Sequence, residues 1–320
     1  MITSTVESDT MRAPEIGQSS MAGSGGSTLR LLWISARPEQ WIKNSVVLAA
    51  LIFARQFTDG PQVTRALVCL GCFICLSAAV YLWNDVKDRQ SDQLHPKKRG
   101  RPIASGALGD SPALTASVLL ALAGLAGLVS LGFDVLLIGA GYLLNNVLYT
   151  LWIKKEAILD VMSISAGFLL RASAGAVALD VRFSPWLLLC TLLLSLFLGF
   201  CKRRDDLVVL AGGAAEHRKV LGEYSLVFLD QAIALVTAST LIAYALYTLS
   251  PEVQLKLHSV YLPWTIPVVL YGLFRYLYLV YHREKGGDPS RLLMSDWRLM
   301  ISIIVWGFLV VTLLLMGDSA

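Results

Sequence analysis

The sequence predicts an all-α protein that crosses a membrane about nine times. Of its 320 residues, 55% are hydrophobic and only 16% are charged, and the mean hydropathy is +0.62. A soluble domain has about 25% charged residues, whereas here apolar runs near the ~20 residues that cross a bilayer recur along the chain. Because backbone polar groups in lipid must be satisfied within their own segment, each run is expected to be a helix. A soluble enzyme, a disordered chain and a secreted disulfide scaffold are thereby excluded.

The chain divides into a short tail and one long membrane domain. Residues 1–28 are rich in Ser, Gly and Thr and lack the apolar region of a signal peptide, so they are predicted to be disordered. Residues 29–320 form a single predicted transmembrane domain. Its apolar runs are residues 45–57, 66–83, 113–133, 135–152, 157–179, 185–201, 226–249, 260–281 and 299–316. The first run is short, and we expect the amphipathic segment 40–44 to extend it.

The positive charges predict the orientation. With the N-terminus inside, 21 of the 27 Lys and Arg residues fall on inner segments. Such a bias is typical of cytoplasmic loops. We therefore expect a protein of the bacterial inner membrane whose N-terminus lies in the cytoplasm and whose C-terminus lies outside. We expect the protein to interact with the lipid bilayer and not with nucleic acid. Four glycines, Gly124, Gly127, Gly139 and Gly141, suit helix contacts within one chain or between chains, which leaves a homo-oligomer open.

An acidic cluster follows the second span. Asn84, Asp85, Asp88 and Asp92 form the pattern N-D-x-x-D-x-x-x-D, and on a helix these offsets place three carboxylates on one face. Carboxylates packed in this way repel one another unless a cation joins them, and hard oxygen ligands suit Mg²⁺ together with substrate phosphates. The alternative is a solvated helix end.

A basic segment comes directly after the carboxylates, and it includes Lys98, Arg99 and Arg101. Positive-inside bias or attraction to anionic lipid explains such a segment by itself. Metal-binding carboxylates followed by cations instead suit a two-sided clamp for a diphosphate, in which metal and cations neutralise the leaving group.

The N-D-x-x-D-x-x-x-D pattern followed by Arg-Pro-Ile-Ala-Ser-Gly106 resembles the first signature of the UbiA superfamily of intramembrane prenyltransferases. The resemblance covers the chain from about Arg30 to the C-terminus. It implies a bundle of nine helices, with Asp85, Asp88 and Asp92 as Mg²⁺ ligands and Asn84 as a further catalytic residue on the cytoplasmic side.

The second acidic motif departs from that of the aromatic prenyltransferases. Where they have D-x-x-x-D, this chain has Lys202-Arg-Arg-Asp-Asp-Leu207, which resembles the decaprenyl-phosphate phosphoribosyltransferase branch with Asp206 at the acidic position. The segment 37–44, Arg275-Tyr276 and three residues after the second motif resemble the same branch. The residues that the resemblance assigns to substrate binding here are Lys43, Lys202, Arg203, Asp206, Arg218, Lys219 and Tyr224.

The branch implies that 5-phosphoribosyl-1-diphosphate is the donor and a polyprenyl phosphate the acceptor. Several anionic groups then meet at one membrane-edge pocket, which requires more cations. Besides Lys43 and Lys202, Lys154 lies at a cytoplasmic helix end. Arg171 lies within the fifth span, where an arginine is costly, so we predict that it binds substrate or, alternatively, pairs with Asp160 or another acid.

Two other functions remain as alternatives. An ordinary UbiA-type prenyltransferase would move a prenyl group from prenyl diphosphate to an aromatic or other acceptor, although residues 202–206 lack the spaced aspartates of a second magnesium site. A transporter would need polar groups along a continuous path across the bilayer. Here the polar groups collect on one side, which favours the transferase.

Overall fold

The computed structural model describes residues 27–96, 98–181, 185–209, 219–283 and 289–316. Within them, eight helices are long and apolar enough to cross a membrane, and the all-α membrane bundle is confirmed. The predicted tail lies almost wholly outside the described residues, so its disorder and the single-domain assignment of 29–320 stay predictions.

The helices are α1 (Thr28–Ser35), α2 (Ala49–Phe53), α3 (Gly60–Lys87), α4 (Arg89–Leu94), α5 (Asp110–Val129), α6 (Phe133–Leu151), α7 (Leu159–Ala178), α8 (Pro185–Val209), α9 (Leu226–Leu249), α10 (Pro251–Leu257), α11 (Ile266–Arg283), α12 (Pro289–Ser295) and α13 (Trp297–Met316). Four 3₁₀ segments accompany them: Pro38–Leu48, Ile153–Lys155, Lys219–Glu223 and Leu262–Thr265.

Two helices form the centre of the bundle. The most apolar windows of α3 and α7 are each 56% buried, against 22–33% in the other spans, so these two helices pack mainly against protein. α3 packs on α5, α7 packs on both α6 and α8, and α8 continues to α9. The outer helices leave large apolar side chains exposed, Phe308 of α13 among them, as expected for helices that face lipid.

The first predicted span is not a single helix, which corrects the expectation of nine regular spans. Residues Pro38–Leu48 form a 3₁₀ helix of 11 residues that leads into the five-residue α2. At roughly 2.0 and 1.5 Å of rise per residue, the two together reach about 30 Å, the thickness of the hydrocarbon core. Non-α backbone is tolerated at membrane depth only where protein surrounds it, and this segment lies against α3 and α7.

Small residues allow that close approach. A Cβ atom on Gly175 of α7 would overlap the backbone carbonyl of Val47, which cannot turn away as a side chain would. Gly124, Gly127 and Gly139 likewise meet side chains of their own chain, so these three glycines serve contacts inside the bundle. A Cβ atom on Gly141 would meet only Leu170 Cδ2, at 4.0 Å, so this glycine is not required by a close contact.

We expect Gly175→Ala to lower the melting temperature of the detergent-solubilised protein by several degrees. Overpacking of this kind costs about 1–3 kcal/mol, more than the gain of about 0.5–1 kcal/mol from replacing a helical glycine. Gly141→Ala is the matched control and should leave the melting temperature unchanged or raise it. Equal melting temperatures for both variants would contradict the close contact.

Candidate active site

Three aspartates line the joint between α3 and α4. Asp85 lies in the last turn of α3, Asp92 lies in α4, and Asp88 is the connecting residue with φ −94° and ψ 7°. The pattern therefore does not lie on one continuous helix, because the chain leaves the helical path at Asp88. Asp85 and Asp92 are buried, whereas the Asp88 side chain is 36% exposed.

Positive side chains from separate segments meet these carboxylates. Arg101 Nη1 lies 3.1 Å from Asp85 Oδ1 and 2.5 Å from Asp92 Oδ2, so one guanidinium joins two carboxylates. Lys154 Nζ lies 2.5 Å from Asp88 Oδ1, and Lys98 Nζ lies 4.0 Å from Asp92 Oδ1. The acids and the basic side chains thus form direct ion pairs with one another, and the clamp around a diphosphate stays a prediction. We call Asp85, Asp88 and Asp92 the acidic cluster. Its cations are Lys98, Arg101, Lys154 and, as described next, Arg37.

Arg37 is a cation of this cluster that the sequence did not single out as a site residue. Its guanidinium pairs with Asp85 and lies 5.0 Å from the centre of the Tyr81 ring. Its backbone is left-handed, with φ 53°, an uncommon conformation for a residue other than glycine. Its place in the segment 37–44, ahead of Pro38, was the available signal.

Thr150 fixes the orientation of Asn84. The Thr150 hydroxyl donates to Asn84 Oδ1 at 2.5 Å, and it also lies 2.9 Å from the carbonyl of Asn146 one turn earlier in α6. Because the carbonyl oxygen of the Asn84 amide is engaged, its NH₂ group is left to meet an anionic ligand. A buried threonine on a predicted span gives no signal of this role in the sequence.

Charges of both motifs act on Lys98. Burial lowers the pKa of Lys98, while the charges of Asp92 and Asp206 raise it and that of Lys202 lowers it. Asp92 belongs to the first motif and the other two residues to the second, so both motifs act on one ammonium group. Lys43 acts in turn on Lys202, which brings the predicted basic residues of three segments to the same end of the bundle.

Arg203 and Tyr224, which the sequence predicts to bind substrate, contact other residues of the protein. The Arg203 side chain is 1% exposed, and its Nε lies 2.5 Å from Asp160 Oδ2. Tyr224 is buried and donates its hydroxyl to Asp160 Oδ1 at 2.7 Å. Both residues therefore bind protein groups in this structure. Asp160 is the shared partner, a residue that the sequence suggested as one possible partner for Arg171.

Arg171 binds neutral groups inside the bundle. It donates to Asn44 Oδ1 at 2.7 Å, to the Tyr142 hydroxyl at 2.7 Å and to the Gly167 carbonyl at 3.2 Å. The alternative pairing of Arg171 with Asp160 is wrong, because Asp160 binds Arg203 and Tyr224. Asn44 also donates to Ser77 of α3, so Asn44 links the 3₁₀ segment to α7 through Arg171 and to α3 through Ser77. The predicted contact of Arg171 with substrate stays a prediction.

Three further predicted ligands lie outside the described side chains or on an exposed loop. Arg218 lies outside the described residues, and so does the side chain of Lys219. Arg99 is exposed in the loop that carries Lys98 and Arg101. Their predicted roles are untested by these contacts. Arg275, which the sequence associates with the same branch, forms a two-point pair with Asp296 at 3.1 and 2.6 Å and thereby ties α11 to the start of α13.

The donor set fits a divalent cation. Oxygens of Asp85 and Asp92 already converge on one positively charged atom, Arg101 Nη1, and Asp88 lies between them in the chain. Hard carboxylate oxygens are the ligands that Mg²⁺ prefers. Among the described residues, no three acidic, His or Cys side chains are arranged to hold a metal as they stand, so Arg101 and Lys154 would have to release their carboxylates to it.

Similar proteins agree with the fold and with the family that the sequence resembles. Residues 45–304 match the UbiA prenyltransferase family. Decaprenyl-phosphate phosphoribosyltransferase from Mycolicibacterium smegmatis is 30% identical, over 85% of this chain and 88% of that protein. The protein of the same name from Corynebacterium glutamicum is 31% identical, over 86% of this chain and 84% of that protein.

A solved structure shows the same architecture. A UbiA homologue from Archaeoglobus fulgidus, bound to GPP and Mg²⁺, superposes with a TM-score of 0.66, at 18% identity, over 90% of this chain and 100% of the other. The match to the family covers most of the residues, and the bundle is shared. The chain is therefore a multi-pass membrane transferase that belongs to the UbiA prenyltransferase family.

Proposed function

We propose that the protein transfers a 5-phosphoribosyl group from 5-phosphoribosyl-1-diphosphate to a polyprenyl phosphate of decaprenyl type. The products are a polyprenylphosphoryl-5-phosphoribose and diphosphate. The observation that supports this most is the acidic cluster with its cations, three aspartates paired with Arg37, Lys98, Arg101 and Lys154. The names of the relatives at about 30% identity support the same donor and acceptor.

The number of cations suits this pair of substrates. The donor brings a 5-phosphate and a diphosphate, and the acceptor brings one more phosphate. Lys43 and Lys202 add positive charge beside Lys98, where a second aspartate motif would add negative charge. A site with this balance neutralises several phosphates at once, which is more than one prenyl diphosphate requires.

The reaction is a displacement at the anomeric carbon of the ribose. An oxygen of the acceptor phosphate forms a bond to that carbon while the bond to the diphosphate oxygen breaks, and the electron pair leaves with diphosphate. The acceptor is already ionised near neutral pH, so no dedicated general base is needed. Arg101, Arg37, Lys98 and the amide of Asn84 would hold the diphosphate and stabilise its growing charge, so positioning and charge neutralisation supply most of the rate.

Mg²⁺, held by Asp85, Asp88 and Asp92, would supply a Lewis acid for the leaving diphosphate. The same carboxylates bind cations of their own chain, and these ion pairs keep the two buried acids Asp85 and Asp92 neutralised. Arg101 and Lys98, which lie beside these carboxylates, would bind the diphosphate of the donor.

The location of the site follows from the charge bias of the sequence. All these basic residues belong to segments on the predicted inner side, so we place the reaction at the cytoplasmic face of a bacterial inner membrane, with the N-terminus inside. The soluble donor would arrive from the cytosol, and the acceptor's hydrocarbon tail would stay in the bilayer.

The decisive experiment identifies the lipid product. Membranes containing the protein receive Mg²⁺, labelled 5-phosphoribosyl-1-diphosphate and decaprenyl phosphate, and the extracted lipids are analysed by mass spectrometry. We expect a lipid heavier than the acceptor by one phosphoribosyl group. A parallel reaction receives prenyl diphosphate and an aromatic acceptor, and a product formed only there would establish the alternative prenyl transfer.

Asp85→Asn should reduce turnover by at least about 100-fold, because it removes a metal ligand and a charge that acts at the leaving group. The control is Asp110→Asn, which breaks the pair of Asp110 with Arg89 at 3.1 Å, in the same loop region but away from the cluster. Label transferred to lipid is measured for both variants at equal amounts of folded protein. Undiminished turnover by Asp85→Asn would exclude this metal site.

Thr150→Val should reduce kcat/KM for the donor by about tenfold, the effect of one lost hydrogen bond that orients a substrate ligand. Thr150→Ser keeps the hydroxyl and should retain most of the activity. Initial rates at varied donor concentration give the comparison. Full activity in Thr150→Val together with a loss in Thr150→Ser would show that packing of the methyl group, and not the hydroxyl, is what matters.

A further inference from the structure

We propose that Asp160, Arg203 and Tyr224 form a positioning cluster, which holds both Asp206 and the turn that carries Lys154 beside the acidic cluster without touching substrate. The proposal assigns Arg203, a residue of the second motif, to the support of its neighbours. It rests on the proposed function for its kinetic measurement and not for its structural one.

The contacts inside the positioning cluster leave little for a ligand to bind. Asp160 is fully buried and uses both carboxylate oxygens, Oδ2 toward Arg203 Nε at 2.5 Å and Oδ1 toward the Tyr224 hydroxyl at 2.7 Å. Arg203 is 1% exposed, and its Nη1 and Nη2 lie 3.1 Å from Asp206 Oδ2 and 3.4 Å from the Tyr149 hydroxyl. A phosphate could reach this guanidinium only by displacing Asp206, Tyr149 or Asp160 from it.

The positioning cluster first holds a strained turn at Ile158. Ile158 has φ 67° and ψ −50°, and the N–H of Leu159 donates to the carbonyl of Ala157 at 2.8 Å. This geometry is that of the classic γ-turn, which is rare, and a β-branched residue is especially unfavourable there. The N–H of Ile158 donates to the Tyr224 hydroxyl at 2.6 Å, so Tyr224 binds the turn at its strained residue.

That turn leads to the acidic cluster. Lys154 precedes Ile158 by four residues, lies in the 3₁₀ segment Ile153–Lys155, and pairs with Asp88. Strained backbone persists where the surroundings over-determine it, and here Asp160 and Tyr224 provide those surroundings. The place of Lys154 beside Asp88 therefore depends on the Tyr224 hydroxyl.

The positioning cluster also holds Asp206, through Arg203. Asp206 is 28% exposed and takes its contact from Arg203 one helical turn earlier, while its charge acts on Lys98. Arg203 thus holds the acidic group of the second motif at the side of the helix that faces the first motif. The three residues of the positioning cluster come from α7, α8 and the segment before α9, so one buried ion pair and the hydrogen bond of Tyr224 fix three segments relative to one another.

The test uses Tyr224→Phe, because it removes one hydroxyl and keeps the ring, whereas truncating Asp160 or Arg203 would leave a buried charge without its partner. The matched control is Tyr281→Phe, since the Tyr281 hydroxyl likewise donates to an aspartate, Asp230 at 3.0 Å, outside the positioning cluster. Hydrogen–deuterium exchange of peptides covering residues 153–161 should rise in Tyr224→Phe and stay at the wild-type level in Tyr281→Phe. Unchanged exchange in both variants would overturn the proposal.

The kinetic measurement separates positioning from general stability. At equal amounts of folded protein, Tyr224→Phe should lower kcat/KM for the donor by about tenfold, as expected for one hydrogen bond to a charged group, and leave KM for the acceptor unchanged. Combined with Lys154→Gln, it should add little further loss, because residues that act through one another are not additive. A fully additive loss, or a lower yield with normal kinetics, would overturn the proposal.

Failure of the proposed function would look different. If the wild-type protein transferred no phosphoribosyl group, the product assay would fail while the exchange experiment still tested the link from Tyr224 to Ile158. If the wild type were active and only the exchange prediction failed, the proposed function would stand and the positioning cluster would be wrong.

Discussion

The bundle is organised around the need to neutralise carboxylates that are buried at the edge of a membrane. Asp85 and Asp92 are each 3% exposed, and two anions so close together cannot both stay charged without cations between them. Arg101 lies between the two, Arg37 binds Asp85, and Lys154 binds Asp88. These cations come from the segment before the 3₁₀ helix, the loop after α4 and the turn before α7. One electrostatic requirement thus fixes three loops at one end of the bundle.

A second requirement, satisfaction of backbone and polar groups in lipid, explains the broken first span. A 3₁₀ helix exposes its poorer hydrogen bonds unless protein covers it, and α3 and α7 provide the cover. Gly175 permits the approach, while Arg171 and Ser77 bind Asn44 from the two neighbouring helices. Lys43, the neighbour of Asn44, is thereby held near the second motif. The intramembrane arginine, costly by itself, is stabilised by amide, hydroxyl and aromatic partners and not by an acid.

Hydropathy sufficed to predict eight spans, because each is long and apolar enough on its own. It could not predict that residues 38–48 adopt a 3₁₀ helix, because the cause is contact with α3 and α7, which lie far away in sequence. The motif also sufficed to predict that Asp85, Asp88 and Asp92 lie close together. The continuous helix that was assumed to carry all three, however, ends at Lys87. Thr150 and Asp160 escaped prediction for the same reason as the 3₁₀ helix: their partners, Asn84 and Arg203, are 66 and 43 residues away.

The second motif shows why a basic residue in a conserved-looking pattern does not reveal what it binds. Lys202, Arg203 and Asp206 lie within two turns of α8, yet Arg203 is 1% exposed and directed toward Asp160, whereas Asp206 keeps 28% of its surface. A helix rotates by about 100° per residue, so adjacent positions face different surroundings, and only one of them can face the joint between α3 and α4. Residues that match the same branch therefore differ in their surroundings: Arg203 is buried against Asp160, whereas Asp206 lies partly exposed one turn later.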